Sequence, residues 1–295
     1  MLQEILFPNS VRMVFMKFTK MHGCGNDYIY VDGMKESIPN ESEAAIRLSD
    51  RHFGIGGDGL IIIKKGTIAD FEMVMYNADG SRGAMCGNGI RCVAKYVYDH
   101  GYTDSTEFTI ESMGKIKYIK VFTENGKAVS ARVDMGSPIL TSKDIPVVCN
   151  GEKCINQSVT IGDREFTMTC VSMGNPHAVM FIDESVKDFD LNKYGKIAES
   201  NTALFPDRVN AEFARVIDRN TIEMRVYERG AGETLACGTG TCATVVAAIL
   251  NGYVDNEVTV HLLGGDLKIE WSGNENDSVI MTGPAAYSFT GEVEI

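Results

Sequence analysis

Two cysteines stand in matching surroundings in this sequence. Cys86 lies in "AMCGNGIRCVAKYVYD" and Cys237 lies in "LACGTGTCATVVAAIL", so each begins a Cys-Gly-x-Gly stretch that runs directly into an apolar segment. This pattern predicts that each cysteine stands at the first turn of a buried helix. A helix N-terminus carries unpaired N–H groups and a partial positive charge. We therefore expect the pKa of each thiol to fall below the free value of about 8.5.

A pair of such thiols suits the inversion of a carbon that bears hydrogen. The glycines leave room for backbone N–H groups to close on an anion. Two units facing each other across a cleft would place one sulfur on each side of a bound molecule. A thiolate could then remove a proton from one face while a thiol supplies one to the other. Helix N-termini directed at a neighbouring carboxylate would stabilise the carbanion electrostatically.

Four other interpretations compete with inversion. A phosphate-binding turn would need a G-x-x-x-x-G-K-[ST] or G-x-G-x-x-G motif, and neither copy is complete. A cysteine hydrolase could use His177 as the base, but the second cysteine unit would be unexplained. A redox pair usually has a C-x-x-C motif, which this chain lacks. The fourth alternative is a duplicated binding module in which both cysteines belong to the core.

The spacing of the two units indicates an internal repeat. Cys86 and Cys237 are 151 positions apart (237 − 86), about the size of a domain. Asn77 stands nine residues before Cys86 and Glu228 nine before Cys237, and each follows an alternating strand pattern. We expect two similar halves that meet face to face, with a boundary between Met135 and Ser142. The corresponding ranges are an N-terminal extension over 1–15, a first half over 16–135 joined by 284–295, and a second half over 136–283.

Most of the chain has strand patterns, which together with a few helices indicate an α/β (α+β) fold. Alternation or β-branched residues predict strands over 71–77, 115–122, 128–135, 164–173, 177–183, 211–218, 221–228, 257–263 and 267–272. Amphipathic helices are predicted over 42–50 and 190–200. The segment "CATVVAAIL" is apolar nearly all round, so protein must surround it.

Composition limits the class of partner and the compartment. The chain has 295 residues, 44% of them hydrophobic, and a net charge of −12. This acidic balance argues against nucleic acid or an anionic membrane surface as a partner. No run approaches the ~20 apolar residues of a membrane helix, and the N-terminus is a poor export signal. We therefore expect a cytoplasmic protein whose eight cysteines are reduced, and we expect no metal because histidines and cysteines lack zinc-ligand spacing.

Five separated blocks resemble the diaminopimelate epimerase family. They are "MKFTKMHGCGNDY" (16–28), "YNADGSRGAMCGNGIRC" (76–92), "MGNPHAV" (173–179), "RVNAEF" (208–213) and "YERGAGETLACGTGTC" (227–242). The resemblance implies a cofactor-independent isomerase that interconverts LL- and meso-2,6-diaminopimelate, on the route to lysine and peptidoglycan. It also implies two pseudo-symmetric domains, each a mostly antiparallel, β-barrel-like sheet around a central helix, and assembly as a homodimer.

The resemblance assigns roles position by position. Cys86 and Cys237 match the catalytic acid/base cysteines, and His177 and Glu228 match residues that assist them. The substrate-binding matches are Asn26, Asn77, Gly87, Asn88, Asn175, Asn210, Glu228, Arg229, Gly238 and Thr239. Each assignment has a simpler alternative: a turn for Asn26, Asn77 and Asn175, a core histidine for His177, and a surface ion pair for Glu228 and Arg229.

Two positions depart from the pattern of the family. Gly59 stands where many members carry a glutamine ligand, and Phe289 stands where a tyrosine linked to dimer packing is common. The six further cysteines, Cys24, Cys92, Cys149, Cys154, Cys170 and Cys242, are expected to be small buried apolar residues. Two alternative functions stay open: a relative acting on histidine, a hydroxyproline or lanthionine, and an amino-acid-binding module without turnover.

Overall fold

The structure is a computed structural model that describes residues 15–83 and 85–295. These residues form a mixed α+β fold with four α-helices and eighteen strands. The expected extension over 1–15 lies outside the described residues, apart from Phe15, which begins the first strand. Within the two described ranges, no helix has the length and apolar character needed to cross a membrane.

The first part of the chain contributes eight strands and two helices. In order they are β1 (Phe15–Gly23), β2 (Asn26–Asp32), α1 (Glu41–Ser49), β3 (Gly59–Lys65), β4 (Phe71–Asn77), β5 (Arg82–Gly83), α2 (Gly87–Asp99), β6 (Glu107–Ser112), β7 (Lys115–Glu124) and β8 (Lys127–Gly136).

The second part contributes ten strands and two helices. In order they are β9 (Gln157–Ile161), β10 (Arg164–Ser172), β11 (Pro176–Phe181), α3 (Leu191–Glu199), β12 (Asn210–Asp218), β13 (Thr221–Glu228), β14 (Gly232–Thr234), α4 (Gly238–Leu250), β15 (Glu257–Leu262), β16 (Gly265–Glu270), β17 (Val279–Pro284) and β18 (Ala286–Glu294).

The strand pairings of the two parts correspond one to one. Antiparallel β1–β2, parallel β2–β3, antiparallel β3–β4 and parallel β4–β6 match β10–β11, β11–β12, β12–β13 and β13–β15. The β6–β7–β8 meander likewise matches β15–β16–β17. The topology is therefore duplicated. Each copy has two parallel strand pairs, and one helix lies in the chain between the two strands of each pair.

Three pairings complete the sheet and define its two halves. β9 pairs with β10, and β18 pairs with β1, so the last strand of the chain joins its first part. β8 pairs antiparallel with β17, which links both copies into one continuous sheet. We call β1–β8 with β18 the first half and β9–β17 the second half.

The helices α2 and α4 occupy the interior of their halves. In α2 the apolar face formed by Ile90, Val93, Ala94 and Val97 is fully buried. In α4 nearly every residue is buried, as the continuous apolar sequence predicted. Burial of each valine or isoleucine contributes about 1.5–3 kcal/mol. Gly101 and Gly252 follow the two helices with φ of +70° and +71°, a conformation that glycine adopts without strain.

The helices α1 and α3 cover the outer faces of the sheet and confirm the two amphipathic predictions to within one residue at each end. Asn40 caps α1 by accepting from the N–H of Glu43, and Asp190 caps α3 by accepting from the N–H of Lys193. Their apolar faces close two separate clusters of buried side chains, while the main core surrounds α2 and α4.

Candidate active site

Each of the two repeated cysteines caps a helix. Cys86 has extended backbone angles (φ −131°, ψ 112°), and its sulfur accepts a hydrogen bond from the N–H of Gly89 at 3.3 Å. Cys237 has nearly the same angles (φ −118°, ψ 110°) and accepts from the N–H of Gly240 at 3.4 Å. The helix-cap position predicted for both cysteines is thus confirmed.

The N-termini of α2 and α4 meet end to end. A Cβ built on Gly238 would lie only 3.5 Å from the Cα of Gly87. The side-chain amide of Asn88 crosses the junction and donates to the carbonyl of Ala236 at 3.2 Å. Because Cys86 directly precedes Gly87 and Cys237 directly precedes Gly238, both thiols lie at this junction, one from each half.

The side chains around Cys86 donate to its sulfur or accept from it. Its thiol donates to Oδ1 of Asn26 at 3.4 Å, and the buried Tyr28 hydroxyl forms a further hydrogen bond with it. Asn26 is held in turn by Asp58, whose Oδ2 accepts from Nδ2 of Asn26 at 2.7 Å. Arg91 is fully buried in α2 and donates to the carbonyl of Gly87 at 3.0 Å, which brings its positive charge under the same turn.

The surroundings of Cys237 are acidic. The side chain is 6% exposed, and its sulfur lies 3.5 Å from the Thr239 hydroxyl. Glu228, the last residue of β13, hydrogen-bonds to Cys237 and also accepts a hydrogen bond from the Thr234 hydroxyl. Burial raises the pKa of the Glu228 carboxyl, although its hydrogen bonds to Thr234 and Cys237 oppose this shift.

Burial overrides the helix N-termini in setting the acidity of both thiols. Desolvation raises the pKa of Cys86, although the N–H groups of Gly89 and Asn88 and the charge of Arg91 oppose it. Desolvation raises the pKa of Cys237 well above its usual value, and the neighbouring Glu228 carboxyl adds to the rise. The expectation of thiol pKa values below 8.5 is therefore wrong, because a thiolate that is half-buried, as at Cys86, or buried, as at Cys237, loses more hydration than the helix terminus replaces.

A second group of predicted residues lies beside Cys237. His177 is fully buried, with Nδ1 2.7 Å from Oε1 of Glu212 and Nε2 3.1 Å from Oδ1 of Asn175. Asn210 pairs with His177 across β11 and β12, and its amide donates to the carbonyl of Pro176 at 2.9 Å. The oxygen of the same amide accepts from the backbone N–H of Arg229 at 2.9 Å.

The two remaining predicted side chains, Asn77 and Arg229, lie at the ends of β4 and β13, which are equivalent strands of the two halves. Asn77 ends β4 as Glu228 ends β13, and its amide donates to the Ser81 hydroxyl at 2.9 Å. Arg229 is exposed just beyond β13, and its guanidinium donates to the carbonyl of Asp207 at 2.9 Å. Asn77 pairs with Gly59, the residue after Asp58, and Arg229 lies beside Asn210 at the exposed margin of this group.

Four residues near the cysteines were not singled out from the sequence: Tyr28, Asp58, Arg91 and Glu212. Tyr28 and Glu212 each stand two residues after a predicted asparagine, Asn26 or Asn210. In a strand, residues two apart share a face, so the alternation itself could have identified both. Asp58 and Arg91 carry no comparable local signal, because their partners come from distant parts of the chain.

The two departures from the family pattern have different structural settings. A Cβ on Gly59 would lie 2.1 Å from the carbonyl oxygen of Tyr76, so β3 and β4 leave no room for any side chain there. Phe289, on β18, is 50% exposed and stacks edge-on against Phe18 with ring centres 5.9 Å apart.

The other cysteines follow the expectation of burial with one exception. Cys24, Cys92, Cys154, Cys170 and Cys242 are at most 2% exposed. Cys149 is partly exposed and lies 2.9 Å from the Ser142 hydroxyl, so the expectation of a buried apolar role is wrong for it. In residues 15–83 and 85–295, no three His, Cys, Asp or Glu side chains are grouped so that they could hold a metal ion.

The family model and two curated relatives indicate the same family. The diaminopimelate epimerase family model matches residues 18–141 and 169–288. A diaminopimelate epimerase of Agathobacter rectalis is 55% identical over 287 residues, covering 95% of this chain and 100% of that protein. One from Methanococcus maripaludis is 53% identical over 281 residues, covering 95% and 100%.

The fold is shared more widely. The crystal structure of a PhzF-family phenazine biosynthesis protein from Bacillus anthracis matches with a TM-score of 0.68 at 15% identity, covering 96% of this chain and 100% of that chain. At 15% identity the match shows similarity of fold alone. The family match and the two close relatives carry the assignment: this chain belongs to the diaminopimelate epimerase family.

Proposed function

We propose that this protein is an isomerase that interconverts LL- and meso-2,6-diaminopimelate by proton transfer between two cysteines. The observation that carries the proposal is the end-to-end meeting of two helix N-termini, each capped by a cysteine from a different half. Membership of the diaminopimelate epimerase family supports the choice of substrate. The reaction supplies precursors of lysine and peptidoglycan.

The proposed chemistry uses one thiolate and one thiol. The thiolate takes the α-hydrogen as a proton, and the electron pair of the broken C–H bond moves toward the α-carboxylate. The thiol on the opposite face then gives its proton to the carbon, which inverts it, and the two sulfurs exchange protonation states. No group outside the protein is consumed, so the reverse reaction runs through the same atoms.

Electrostatics distinguishes the two sulfurs before substrate binds. Cys86 has the Arg91 charge, the Tyr28 hydroxyl and two N–H groups, all of which favour its thiolate. Cys237 faces the carboxyl of Glu228, which favours its thiol. We propose that Cys86 ionises first and that Cys237 holds the proton, with His177 and Glu228 assisting at the second sulfur.

The helix junction is proposed to receive the α-carboxylate of the reacting centre. Gly87, Asn88, Gly238 and Thr239 form the first turns of α2 and α4, where N–H groups lack helical partners. Oδ1 of Asn88 is buried and has no hydrogen-bond partner within the described residues, which suits it to accept from an ammonium group. A dry junction strengthens each of these interactions.

The remaining predicted residues are proposed to hold the rest of the amino acid. Asn side chains both donate and accept hydrogen bonds, as an amino-acid head group requires. The residues of this group are Asn26, Asn77, Asn175, Asn210, Glu228 and Arg229. Arg229 is exposed at the margin, where its guanidinium could bind the distal carboxylate with two parallel hydrogen bonds.

Domain organisation, assembly and location are further parts of the proposal. The strand pairings support a first domain over 16–135 with 284–295 and a second over 136–283, after an extension over 1–15. Homodimeric assembly is proposed from the family resemblance, and equilibrium sedimentation of the purified chain tests it. A cytoplasmic location accords with eight cysteines that are free in the structure.

Incubation of the protein with LL-diaminopimelate tests the proposed function. We expect conversion to an equilibrium mixture with the meso isomer, resolved by chiral chromatography, without added pyridoxal phosphate or metal. Parallel incubations with L-histidine, trans-4-hydroxyproline and lanthionine distinguish the related alternatives. Turnover of one of these in preference to diaminopimelate would contradict the proposed substrate, and no turnover of any would favour a binding module.

A further inference from the structure

We propose that Glu212 is a positioning residue for the epimerisation: its carboxyl shares one proton with His177 and fixes the imidazole beside Cys237. The expected effect on kcat rests on the proposed function. The shared proton and the fixed imidazole rest on the geometry of Glu212 alone. Glu212 is the third residue of β12, two residues beyond Asn210, and is fully buried. Its Oε1 lies 2.7 Å from Nδ1 of His177.

The hydrogen bonds of His177 account for a single shared proton. Nε2 of His177 lies 3.1 Å from Oδ1 of Asn175, and a carbonyl oxygen can only accept, so Nε2 carries a hydrogen. One proton then lies between Nδ1 of His177 and Oε1 of Glu212, and the pair is neutral when the carboxyl holds that proton. Burial raises the pKa of the Glu212 carboxyl, which is the same direction.

The second oxygen of Glu212 supports the uncharged state. Oε2 is buried and has no hydrogen-bond partner among residues 15–83 and 85–295. A carboxylate with an unpaired buried oxygen costs far more free energy than a neutral carboxyl with one. The Glu212–His177 pair is therefore a neutral, hydrogen-bonded unit in a fixed orientation.

This unit lies directly beneath the first turn of α4. A Cβ built on Gly240 would lie 2.6 Å from Oε1 of Glu212 and 3.3 Å from the Cys237 sulfur. Gly240 thus allows the carboxyl and the sulfur to approach the same point from opposite sides. A side chain at position 240 would displace one of them.

The titratable groups that face Glu212 come from every element packed around it. They are Cys170 of β10, His177 of β11, Glu228 of β13 and Cys237 at the start of α4. A charged Glu212 would add negative charge beside the Cys237 sulfur and oppose formation of its thiolate. A neutral Glu212 fixes His177 without that effect, which is required when Cys237 acts as the base in the reverse direction.

Two variants separate positioning from charge. Glu212→Gln keeps a donor for Nδ1 and removes the ionisable group, so we expect kcat within about threefold of the parent and an unchanged pH profile. Glu212→Leu removes the donor, so we expect kcat to fall by roughly 10–100-fold with little change in KM. Glu111→Gln is the matched control: Glu111 is a buried carboxyl on β6, bonded to Thr67 and Ile68, and its loss should change stability without changing kcat.

A spectroscopic measurement tests the pair without any kinetics. In ¹⁵N-labelled protein, we expect His177 to show a single neutral tautomer with hydrogen on Nε2, retained in Glu212→Gln. A His177 signal averaged between both tautomers would overturn the proposal, as would a loss of activity in Glu212→Gln as large as in Glu212→Leu. If Glu212→Leu does not fold, the kcat of Glu212→Gln and the His177 spectrum of the parent protein still test the proposal. A chain that fails to epimerise diaminopimelate but keeps the fixed tautomer would refute the proposed function alone.

Discussion

The replacement of Gly238 by alanine should separate stability from activity. Gly238 is the first residue of α4, and its φ is not among the positive values in the chain, so alanine fits the backbone without strain. A Cβ there would lie 3.3 Å from Sδ of Met281 and 3.5 Å from the Cα of Gly87. These are tight or ordinary contacts, and the methionine can move by a few tenths of an ångström.

The magnitudes follow from these contacts. Alanine is preferred to glycine in helices, so the free energy of unfolding should change by between about 0 and +1 kcal/mol. The added methyl group occupies the junction where the carboxylate is proposed to approach the N–H groups. Loss of one such donor costs about 10²–10³ in kcat, or roughly 3–4 kcal/mol. The variant is therefore expected to be at least as stable as the parent and nearly inactive.

Thermal unfolding and the rate of diaminopimelate epimerisation, measured on the same preparation, provide the assay. Thr244→Val is the matched control in the same helix, because Oγ1 of Thr244 is buried without a partner in the described residues. Removing that hydroxyl should raise stability by about 1 kcal/mol and leave kcat unchanged. Full activity in Gly238→Ala would refute the proposed role of the junction. A variant that unfolds several degrees earlier than the parent would refute the argument that alanine fits this position.

Four further predictions concern packing and acidity. Gly59→Gln should lower the free energy of unfolding by about 3 kcal/mol, since its Cβ would lie 2.1 Å from the Tyr76 oxygen; a parental urea midpoint would contradict this. Asn88→Ala leaves the buried Ala236 carbonyl without its donor and should cost about 1–3 kcal/mol in the same measurement. Burial raises the pKa of the Cys86 and Cys237 thiols, so alkylation by iodoacetamide should be slow at neutral pH and should accelerate in alkali, at Cys86 before Cys237; fast modification at pH 7 would contradict this. The folded protein then retains thiol protons that the unfolded chain releases above about pH 8.5, so stability should fall as pH rises from that value.

The sequence predicted those features of the site that depend on short stretches of chain. Both cysteine caps follow from a Cys-Gly-x-Gly turn that enters an apolar helix, and the strand that ends at Glu228 follows from its own alternation. The glycines after α2 and α4 likewise mark the ends of those helices, because they take the positive φ that closes them. Each of these signals lies within a few residues of the feature it predicts.

Features that depend on contacts between distant residues were not predictable in this way. The alternation of β12 places Glu212 on the same face as Asn210, but it does not identify His177 as the partner of the Glu212 carboxyl. That contact depends on the parallel pairing of β11 with β12, which are separated in the chain by α3. The acidity of Cys86 and Cys237 was predicted in the wrong direction for the same reason. A helix N-terminus is a local feature, whereas the burial that outweighs it results from the way both halves close around the junction.

The stereochemical course of deuterium incorporation tests the central claim most directly. At early times in D₂O, two thiols on opposite faces should deliver solvent deuterium to the newly inverted carbon of meso-diaminopimelate while the remaining LL isomer stays unlabelled. Mass spectrometry of the separated isomers measures this. Equal labelling of both isomers from the start, or turnover without label, would show that a single group serves both faces and would contradict the account.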